Sequence, residues 1–389
     1  MRLEPSAWLD RPGIRRLLKA LDAKDGYARF VGGAVRDLLI DEEHADLDLA
    51  TTHSPQDVVR RLEAAGIKAV PTGIEHGTIT AVSSNTVVEV TTLRSDVSTD
   101  GRRATVAFTD DWKEDAARRD FTINALYADP FTGELFDYYD GIDDLKSRTV
   151  RFIGDPLQRI AEDHLRILRY FRFHARYGHG EPDPIAIAAC CSRSNDLMAL
   201  SRERIADELI KLLALSDPTP TVRLMLGCKL FEPVLPEITS ADRLADLVAA
   251  EREAAIAPDP LRRLAALLPA DPAIATKVAA RLKLSNKAKK RLANAADTDL
   301  GIGTRPLAYR IGTEGAVDRL LLASCPEQAA DIARWTPPRL PIGGGDLIKR
   351  GVPEGPEVAL TLRGIEDAWE AAGFPDGAQF DRLVDEALR

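Results

Sequence analysis

The 389-residue sequence lacks the features on which secreted and membrane proteins depend. It has four cysteines, no CxxC pair and no regular cysteine spacing, so we expect neither a cysteine metal site nor a disulfide framework, but reduced, buried thiols. No stretch approaches the roughly 20 apolar residues that cross a bilayer, and the first residues, MRLEPSAWLDRPG, do not resemble a signal peptide. These absences favour a cytoplasmic protein.

The sequence also has few histidines and fewer basic than acidic residues. The six histidines all precede residue 180, so we expect the chemistry to lie in the first half of the chain. The 52 basic residues against 61 acidic ones give a net charge of −9, which argues against coating nucleic acid through a general positive field. A nucleic acid would have to be held by local patches. The best is RLKLSNKAKKR at 281–291, which a solvated helix end would explain equally well.

The hydrophobic pattern divides the chain into a mixed part and a helical part. Short β-like runs lie at 27–31, 46–50, 67–71, 77–83 and 86–93, with a helical pattern at 55–66. From residue 155 onward the period is helical and is broken by proline turns. The sequence predicts a small mixed α/β head followed by an all-α remainder, divided into 1–140, 141–205, 206–300 and 301–389.

A Gly-Gly pair follows the first predicted strand. In FVGGAVRD, Gly32 and Gly33 precede a helical run, so backbone N–H groups could approach an anion there, and Arg36 adds a forked cation. An ordinary strand-to-helix turn would explain the pair as well.

Acidic residues mark the second and fifth strands. Asp46 and Asp48 are two apart in a strand and therefore point to one face, where they repel each other unless a cation lies between them. Glu89 lies in an apolar run, where an unpaired carboxylate is costly. If its strand lies beside that of Asp46, three carboxylates converge on Mg²⁺. The alternatives are a solvated strand face for the aspartates and an edge-strand glutamate facing water.

Two later segments combine arginine with acceptors. RRDFTINAL at 118–126 has the pattern of a helix start, and it carries two arginines beside Asp120 and Asn124, which could bind phosphate and sugar, although a salt-bridged helix end is the commoner case. In the helix predicted from Pro156, Asp163 and Arg166 are i,i+3 neighbours that present an acceptor and a donor together, as many exposed ion pairs also do.

The polar stretch at 94–111 separates two confident elements. It is too long and hydrophilic for a tight turn, so the sequence predicts a mobile loop there, with Asp100, Arg102 and Arg103 in it.

These strings occur in one order: GGAVRD, DLDLAT, EVTTLR, DGRR, RRDFTINAL, DGIDDL and IGDPLQRIAEDHLRILRYFRF. Together they resemble the class II CCA-adding tRNA nucleotidyltransferase and bacterial poly(A) polymerase family. The resemblance is continuous and highly specific over about 27–176. FEPVLPE and GGGDLIKRGVPEGPEV resemble the family's body and tail with much weaker specificity.

The resemblance implies a nucleotidyltransferase head, a helical neck that selects the base, and a helical body and tail that hold the tRNA. The implied reaction is template-independent addition of C, C and A to the tRNA 3′ end from CTP and ATP, with two Mg²⁺ ions and release of pyrophosphate. The part of the loop at 96–110 would switch the pocket from C to A.

The resemblance also implies residue roles. The triphosphate would be held by Gly32, Gly33 and Arg36, and the metal ions by Asp46 and Asp48, with Glu89 as a third acid if the sheet order allows it. Phosphate and sugar would contact Arg119, Asp120 and Asn124. The base edge would be read by Asp163 and Arg166, with Arg169 in the same nucleotide-binding set.

The family often has proline where this chain has His164. Proline does not recognise a base, so the base-reading pair is unaffected. A functional His164 remains an alternative to a solvated or packed one.

Two rival functions remain. A poly(A) polymerase of the same family would usually carry a longer, basic C-terminal extension, whereas this chain ends in FDRLVDEALR. A catalytically idle RNA-binding module would not need the two aspartates.

Overall fold

The computed structural model describes residues 2–41, 46–99, 104–301 and 303–388. The chain forms two compact units, Met1–Glu208 with Gly227–Val234, and Leu209–Leu226 with Leu235–Arg389. The domain boundaries predicted near 140, 205 and 300 stay predictions.

Nine strands are described in the first unit: β1 Ala28–Val31, β2 Leu47–Thr51, β3 Lys68–Gly73, β4 Thr78–Ser83, β5 Thr86–Thr92, β6 Arg94–Thr99, β7 Ala104–Phe108, β8 Leu126–Ala128 and β9 Leu135–Asp137. Seven form a sheet in the order β3-β4-β5-β2-β1-β8-β9. In it β2 and β5 are parallel while the other described pairs are antiparallel, so the predicted small mixed sheet is confirmed.

Alternation of side chains gives this sheet two different faces. On β2, Leu47 and Leu49 are buried, and Asp48 between them points to the opposite face. Helices α1 (Ser6–Leu9), α2 (Ile14–Ala20), α3 (Gly33–Leu39) and α4 (Pro55–Ala64) belong to this part of the chain. Both α2 and α4 contact β4. Ser54 caps α4 by accepting from the N–H of Asp57, with proline in its first turn.

The segment predicted as a mobile loop is largely a β-hairpin. Strands β6 and β7 pair antiparallel with a register shift between Asp96 and Ser98. Asp100, Arg102 and Arg103 lie outside the described residues. The alternating pattern of VSTDGRRATV matches paired strands as well as a polar loop, which is why its polarity alone misled the prediction.

Two predicted helical stretches are also wrong in detail. Helix α5 (Trp112–Ala117) precedes the RRDFTINAL segment, which forms a short 3₁₀ turn, Thr122–Asn124, leading into β8. The helix predicted from Pro156 is broken into α7 (Pro156–Glu162) and α8 (Leu165–Tyr177), with α6 (Gly141–Lys146) before them. Asp163 has extended backbone angles, φ −152° and ψ 107°, at this break.

The cysteine prediction needs correction. Cys191, on α9 (Pro184–Ser192), is disulfide-bonded to Cys228 with their Cα atoms 4.6 Å apart. Cys190 is a free, buried thiol, and Cys325 is free but only half-buried. Sequence separation gave no sign of the pair, because chain folding brings the two segments together.

The rest of the chain is helical, as predicted. Its helices are α10 Arg202–Leu213, which begins in the first unit and ends in the second, α11 Thr219–Gly227, α12 Asp242–Glu253, α13 Pro260–Leu267, α14 Pro272–Arg281, α15 Asn286–Ala295, α16 Thr304–Ile311, α17 Thr313–Leu322, α18 Pro326–Arg334, α19 Gly344–Lys349, α20 Pro356–Ala371 and α21 Gly377–Ala387. In the described ranges, none of the helices combines the length and apolar character needed to span a membrane.

The second unit has an ionic as well as an apolar core. Arg262 and Arg263 are buried and both donate to Glu251, and Arg262 also donates to Asp318 at 2.8 Å. Nearer the C-terminus an apolar cluster surrounds Trp369. Because each buried guanidinium has carboxylate partners, these charges fix the helices relative to one another within the unit.

Candidate active site

Two carboxylates lie side by side on the open face of the sheet, with a third close by in sequence. Asp48 pairs in register with Glu89 across the parallel strands β2 and β5, and Asp46 directly precedes β2. Asp48 is half-buried, while Asp46 and Glu89 are exposed. The predicted adjacency of the Glu89 strand is therefore correct. Glu89 is exposed, but the alternative of an edge-strand glutamate is wrong, because β5 lies between β4 and β2 in the sheet.

The charge on this face is unbalanced. Burial and the negative charge of Glu89 raise the pKa of Asp48 to about 6, with Asp46 adding to the effect and Arg119 and Arg36 opposing it. Such repulsion indicates a place where a cation is favoured. In the part of the chain that the structure describes, no group of three or more His, Cys, Asp or Glu side chains is arranged to hold a metal ion.

The donor set fits Mg²⁺ on chemical grounds. Carboxylates are hard oxygen ligands, and Mg²⁺ is commonly bound by one or two of them, with waters and substrate phosphates completing its shell. Two or three acids without a closed cage suit that mode of binding.

The Gly-Gly turn lies beside these acids. Gly32 has φ +66° and ψ −124°, a conformation that favours glycine, and its N–H donates to the carbonyl of Leu126. A Cβ at Gly32 would lie 3.5 Å from Nη1 of Arg119, and one at Gly33 would lie 3.5 Å from Nη2 of Arg36. Two guanidinium groups thus closely approach the turn that the sequence analysis proposed for phosphate.

Arg36 is more deeply buried than its proposed role suggests. It is 6% exposed, and its Nε donates to Asp37 at 2.8 Å. Its Nη1 donates to Oδ1 of Asn124, and its Nη2 donates to the hydroxyl of Tyr177 at 2.5 Å. Arg36 therefore joins α3 to α8, and its charge lowers the pKa of Asp48 from there.

The other nucleotide-binding candidates continue this network. Oδ1 of Asp120 accepts from Nδ2 of Asn124 at 2.9 Å, and Oδ2 accepts from Nε of Arg169 at 2.7 Å. Burial by itself would raise the pKa of Asp120, but the charge of Arg169 and the Asn124 hydrogen bond outweigh it and bring the pKa to about 2. Asn124 thus bridges Arg36 and Asp120, and a polar chain runs from Tyr177 to Arg169.

The proposed base-reading pair lies at the break between α7 and α8. Oδ1 of Asp163 accepts from the N–H of Leu165, and Oδ2 accepts from Nη2 of Arg204 at 2.8 Å. Arg166 instead donates to Oε2 of Glu162 at 2.5 Å and to the carbonyl of Arg118 at 3.1 Å. Asp163 lies between the two helices, so the predicted i,i+3 arrangement on one helical face is not formed, and each side chain is held by a different partner.

His164 takes no part in these contacts. It directly precedes α8 and lies half-buried, with Nδ1 3.6 Å from Oδ2 of Asp196. This placement agrees with a packed histidine.

Several residues of the site were missed by the sequence analysis. Glu162 is i,i+4 from Arg166, and Asp115 is i,i+3 and i,i+4 from the two arginines of RRDFTINAL, so helical spacing could have found both. Arg204 comes from a distant segment, and no local signal marks it. Tyr127 directly follows RRDFTINAL, but no helical spacing links it to Asp115.

A mixed sheet with paired aspartates beside a Gly-Gly turn, followed by helices, defines a nucleotidyltransferase. The model "Poly A polymerase head domain" matches residues 28–151, and "Probable RNA and SrmB- binding site of polymerase A" matches residues 182–242. The chain is 35% identical to human "CCA tRNA nucleotidyltransferase 1, mitochondrial" over 381 residues, 93% of this chain and 87% of the relative. It belongs to the family of class II CCA-adding enzymes and poly(A) polymerases.

Other relatives agree. The CCA-adding enzyme of Streptococcus gordonii is 40% identical over 218 residues, 55% of this chain and 52% of the relative. The solved structure of the Bacillus stearothermophilus CCA-adding enzyme in complex with CTP is similar, with a TM-score of 0.75 and 27% identity over 97% of this chain and 98% of that one. The Thermotoga maritima enzyme complexed with tRNA shares the fold, with a TM-score of 0.68 and 18% identity over 96% and 94%.

Proposed function

We propose that this protein adds C, C and A to the 3′ end of tRNA from CTP and ATP and releases pyrophosphate. The observation that carries the proposal is the group of Asp46, Asp48 and Glu89 beside the Gly32 turn and Arg119. Relatives that cover most of the chain are named for CCA addition, and solved relatives contain CTP or ATP. No residue of this group needs to form a covalent intermediate.

The reaction requires positioning and charge neutralisation. The oxygen of the tRNA 3′-hydroxyl forms a bond to the α-phosphorus and its proton passes to solvent, while the bond from the α-phosphorus to the oxygen shared with the β-phosphate breaks and pyrophosphate leaves. Mg²⁺ held by Asp46 and Asp48, as a pair of ions in the proposal, would lower the pKa of that hydroxyl and neutralise the leaving group. Arg119 and the backbone N–H of Gly33 would bind the triphosphate, and Arg36 would hold Asn124 in place; the N–H of Gly32 already donates to the carbonyl of Leu126.

Base selection is assigned to the neck. Asp163 accepts and Arg166 donates, so the pair can bind the amino-bearing edge of C or A while U and G meet mismatched groups. In the structure these side chains contact Arg204 and Glu162. To read a base, Asp163 must therefore give up or share its contact with Arg204, and Arg166 its contact with Glu162. A movement of the hairpin β6–β7 is proposed to drive this change.

The helical second unit is proposed to hold the body of the tRNA. In the basic segment at 281–291, Arg281 pairs with Glu237 and Arg291 pairs with Asp318. Lys287 and Lys290 are exposed on α15 and are available to phosphates. This contact would be salt-dependent. A cytoplasmic location belongs to the same proposal, although the human relative is named as mitochondrial.

Incubation with a tRNA that ends at its discriminator base tests the proposal. CTP alone should extend it by two nucleotides, ATP alone should add little, and both together should stop at CCA. The rival poly(A) polymerase predicts a long ladder with ATP alone, and an idle RNA-binding module predicts no extension.

A further inference from the structure

We propose that Asp115 is the positioning residue that sets the guanidinium of Arg119 against the Gly32 turn and couples it to the base of the hairpin. The inference rests on the proposed function, because Arg119 is taken to bind the triphosphate. Asp115 lies on α5 and is 1% exposed.

Both carboxylate oxygens of Asp115 are used. Oδ1 accepts from Nε of Arg118 at 2.8 Å, and Oδ2 accepts from Nη2 of Arg119 at 3.1 Å and from the hydroxyl of Tyr127 at 2.7 Å. Burial alone would raise the pKa of Asp115, but Arg119 and Arg118 outweigh it and bring the pKa to about 2. Asp115 is therefore a fixed negative charge rather than a proton acceptor.

Arg119 is held so that one edge faces the site. Its Nε and Nη2 face Asp115, and its Nη1 lies 3.5 Å from the Cβ position of Gly32 and from the carbonyl oxygen of Asn124. Its charge also opposes the raised pKa of Asp48. A guanidinium fixed on one edge loses less conformational freedom when its other edge binds an anion.

The hairpin contacts Asp115 through its first residue. The N–H of Arg94, where β6 begins, donates to Oδ1 of Asp115 at 3.3 Å. The N–H of Thr109 donates to the carbonyl of Leu93, which closes the base of the hairpin beside this contact. A displacement of the hairpin base changes the position of Asp115 and, through it, that of Arg119.

The backbone of the same segment is held from the neck. Arg159 donates to the carbonyls of Ala117 and Arg119, at 2.6 and 3.0 Å, and Arg166 donates to that of Arg118. The side chain of Arg119 is thus positioned by the head and its backbone by the neck. Asp115 connects the base of the hairpin to the side chain of Arg119.

The test compares Asp115→Asn with Asp143→Asn, an exposed carboxylate paired with Lys146 at 3.0 Å. Asparagine keeps the size of Asp115 but removes its charge. Asp115→Asn should raise the KM for CTP and ATP about tenfold and weaken the binding of inorganic tripolyphosphate, measured by calorimetry, in parallel. The tRNA dissociation constant and the rejection of UTP and GTP should not change.

A double-mutant cycle with Arg119→Lys adds a second criterion. The two substitutions should be strongly non-additive for tripolyphosphate binding, because both break one interaction. Tyr127→Phe, which removes one hydrogen bond to the same carboxylate, should weaken tripolyphosphate binding in the same direction by a smaller factor, and it replaces Asp115→Asn if that variant does not fold.

Unchanged tripolyphosphate binding, or additive effects, would overturn the inference and leave Asp115 as a residue that only stabilises α5. Calorimetry does not depend on turnover. If the wild-type protein adds no nucleotide to tRNA but the tripolyphosphate losses are observed, the proposed function fails while the positioning role stands.

Discussion

Asp48 and Glu89 face each other across the parallel pairing of β2 and β5. Each strand contributes its acid to the open face because the neighbouring apolar residues point into the core. Two adjacent carboxylates without a compensating cation are unfavourable, and the raised pKa of Asp48 is the electrostatic result.

Neutralising Asp48 should therefore stabilise the metal-free protein. The pKa of Asp48 is about 6 in the folded protein and 3.8 in the unfolded chain. Ionisation of Asp48 therefore destabilises the folded state: stability falls as the pH rises from 3.8 to 6, and the full loss is present above pH 6. At pH 7.5 without divalent metal, Asp48→Asn should raise the free energy of unfolding by about 1 to 3 kcal/mol. Denaturant unfolding measures the change.

Mg²⁺ and pH provide the controls for this experiment. Adding Mg²⁺ should raise the melting temperature of the wild type more than that of the variant, because the metal binds the ionised carboxylate. The gap between variant and wild type should close below pH 4. A variant that is less stable than the wild type at pH 7.5, or a gap independent of pH, would refute the electrostatic assignment.

Removing the base-reading donor should change specificity more than rate. Arg166→Ala should relax the choice among CTP, ATP, UTP and GTP, since it removes a hydrogen-bonding template worth about 1 to 3 kcal/mol of discrimination. Competition assays with all four nucleotides measure this change. A uniform loss of activity with strict C and A choice would mean that Arg166 only supports the neck through Glu162.

Shortening the hairpin should separate the C steps from the A step. Deleting residues 98–104 removes the outer part of the hairpin but none of the proposed metal or base-reading residues. The two C additions should survive and the switch to ATP should fail, so product ending in CC accumulates. Equal loss of both steps would make the hairpin part of the common scaffold, and unhindered A addition would make it irrelevant to specificity.

The hydroxyl of Tyr177 should matter to both stability and nucleotide binding. It accepts from Arg36 and donates to Asp37 at 3.1 Å, and all three residues are buried. Tyr177→Phe leaves Arg36 short of one acceptor, which should cost about 1 to 3 kcal/mol of unfolding free energy and raise the KM for both nucleotides. Unchanged stability together with unchanged KM values would contradict this role of the hydroxyl.

The sequence was sufficient where local pattern determines structure. Alternating apolar residues predicted the first five strands, and spacing placed Asp46 and Asp48 on one face. Sequence-based prediction failed where contacts between segments distant in the chain determine the structure. The break at Asp163 depends on tertiary packing, because its carboxylate caps Leu165 and pairs with Arg204.

The missed contacts have a common physical cause. Arg36 was expected to be an accessible cation, but Asn124 and Tyr177 reach it from segments about 90 and 140 residues away in sequence. Composition cannot show that a guanidinium is already engaged by such partners.

The measurement that tests the central claim most directly is nucleotide incorporation by Asp46→Ala and Asp48→Ala on a tRNA ending at its discriminator base. The wild type should add C, C and A, and both variants should lose addition of C and of A while binding tRNA nearly as well as the wild type, because these acids hold Mg²⁺ rather than RNA. Near-normal incorporation by either variant at saturating Mg²⁺ would contradict the account.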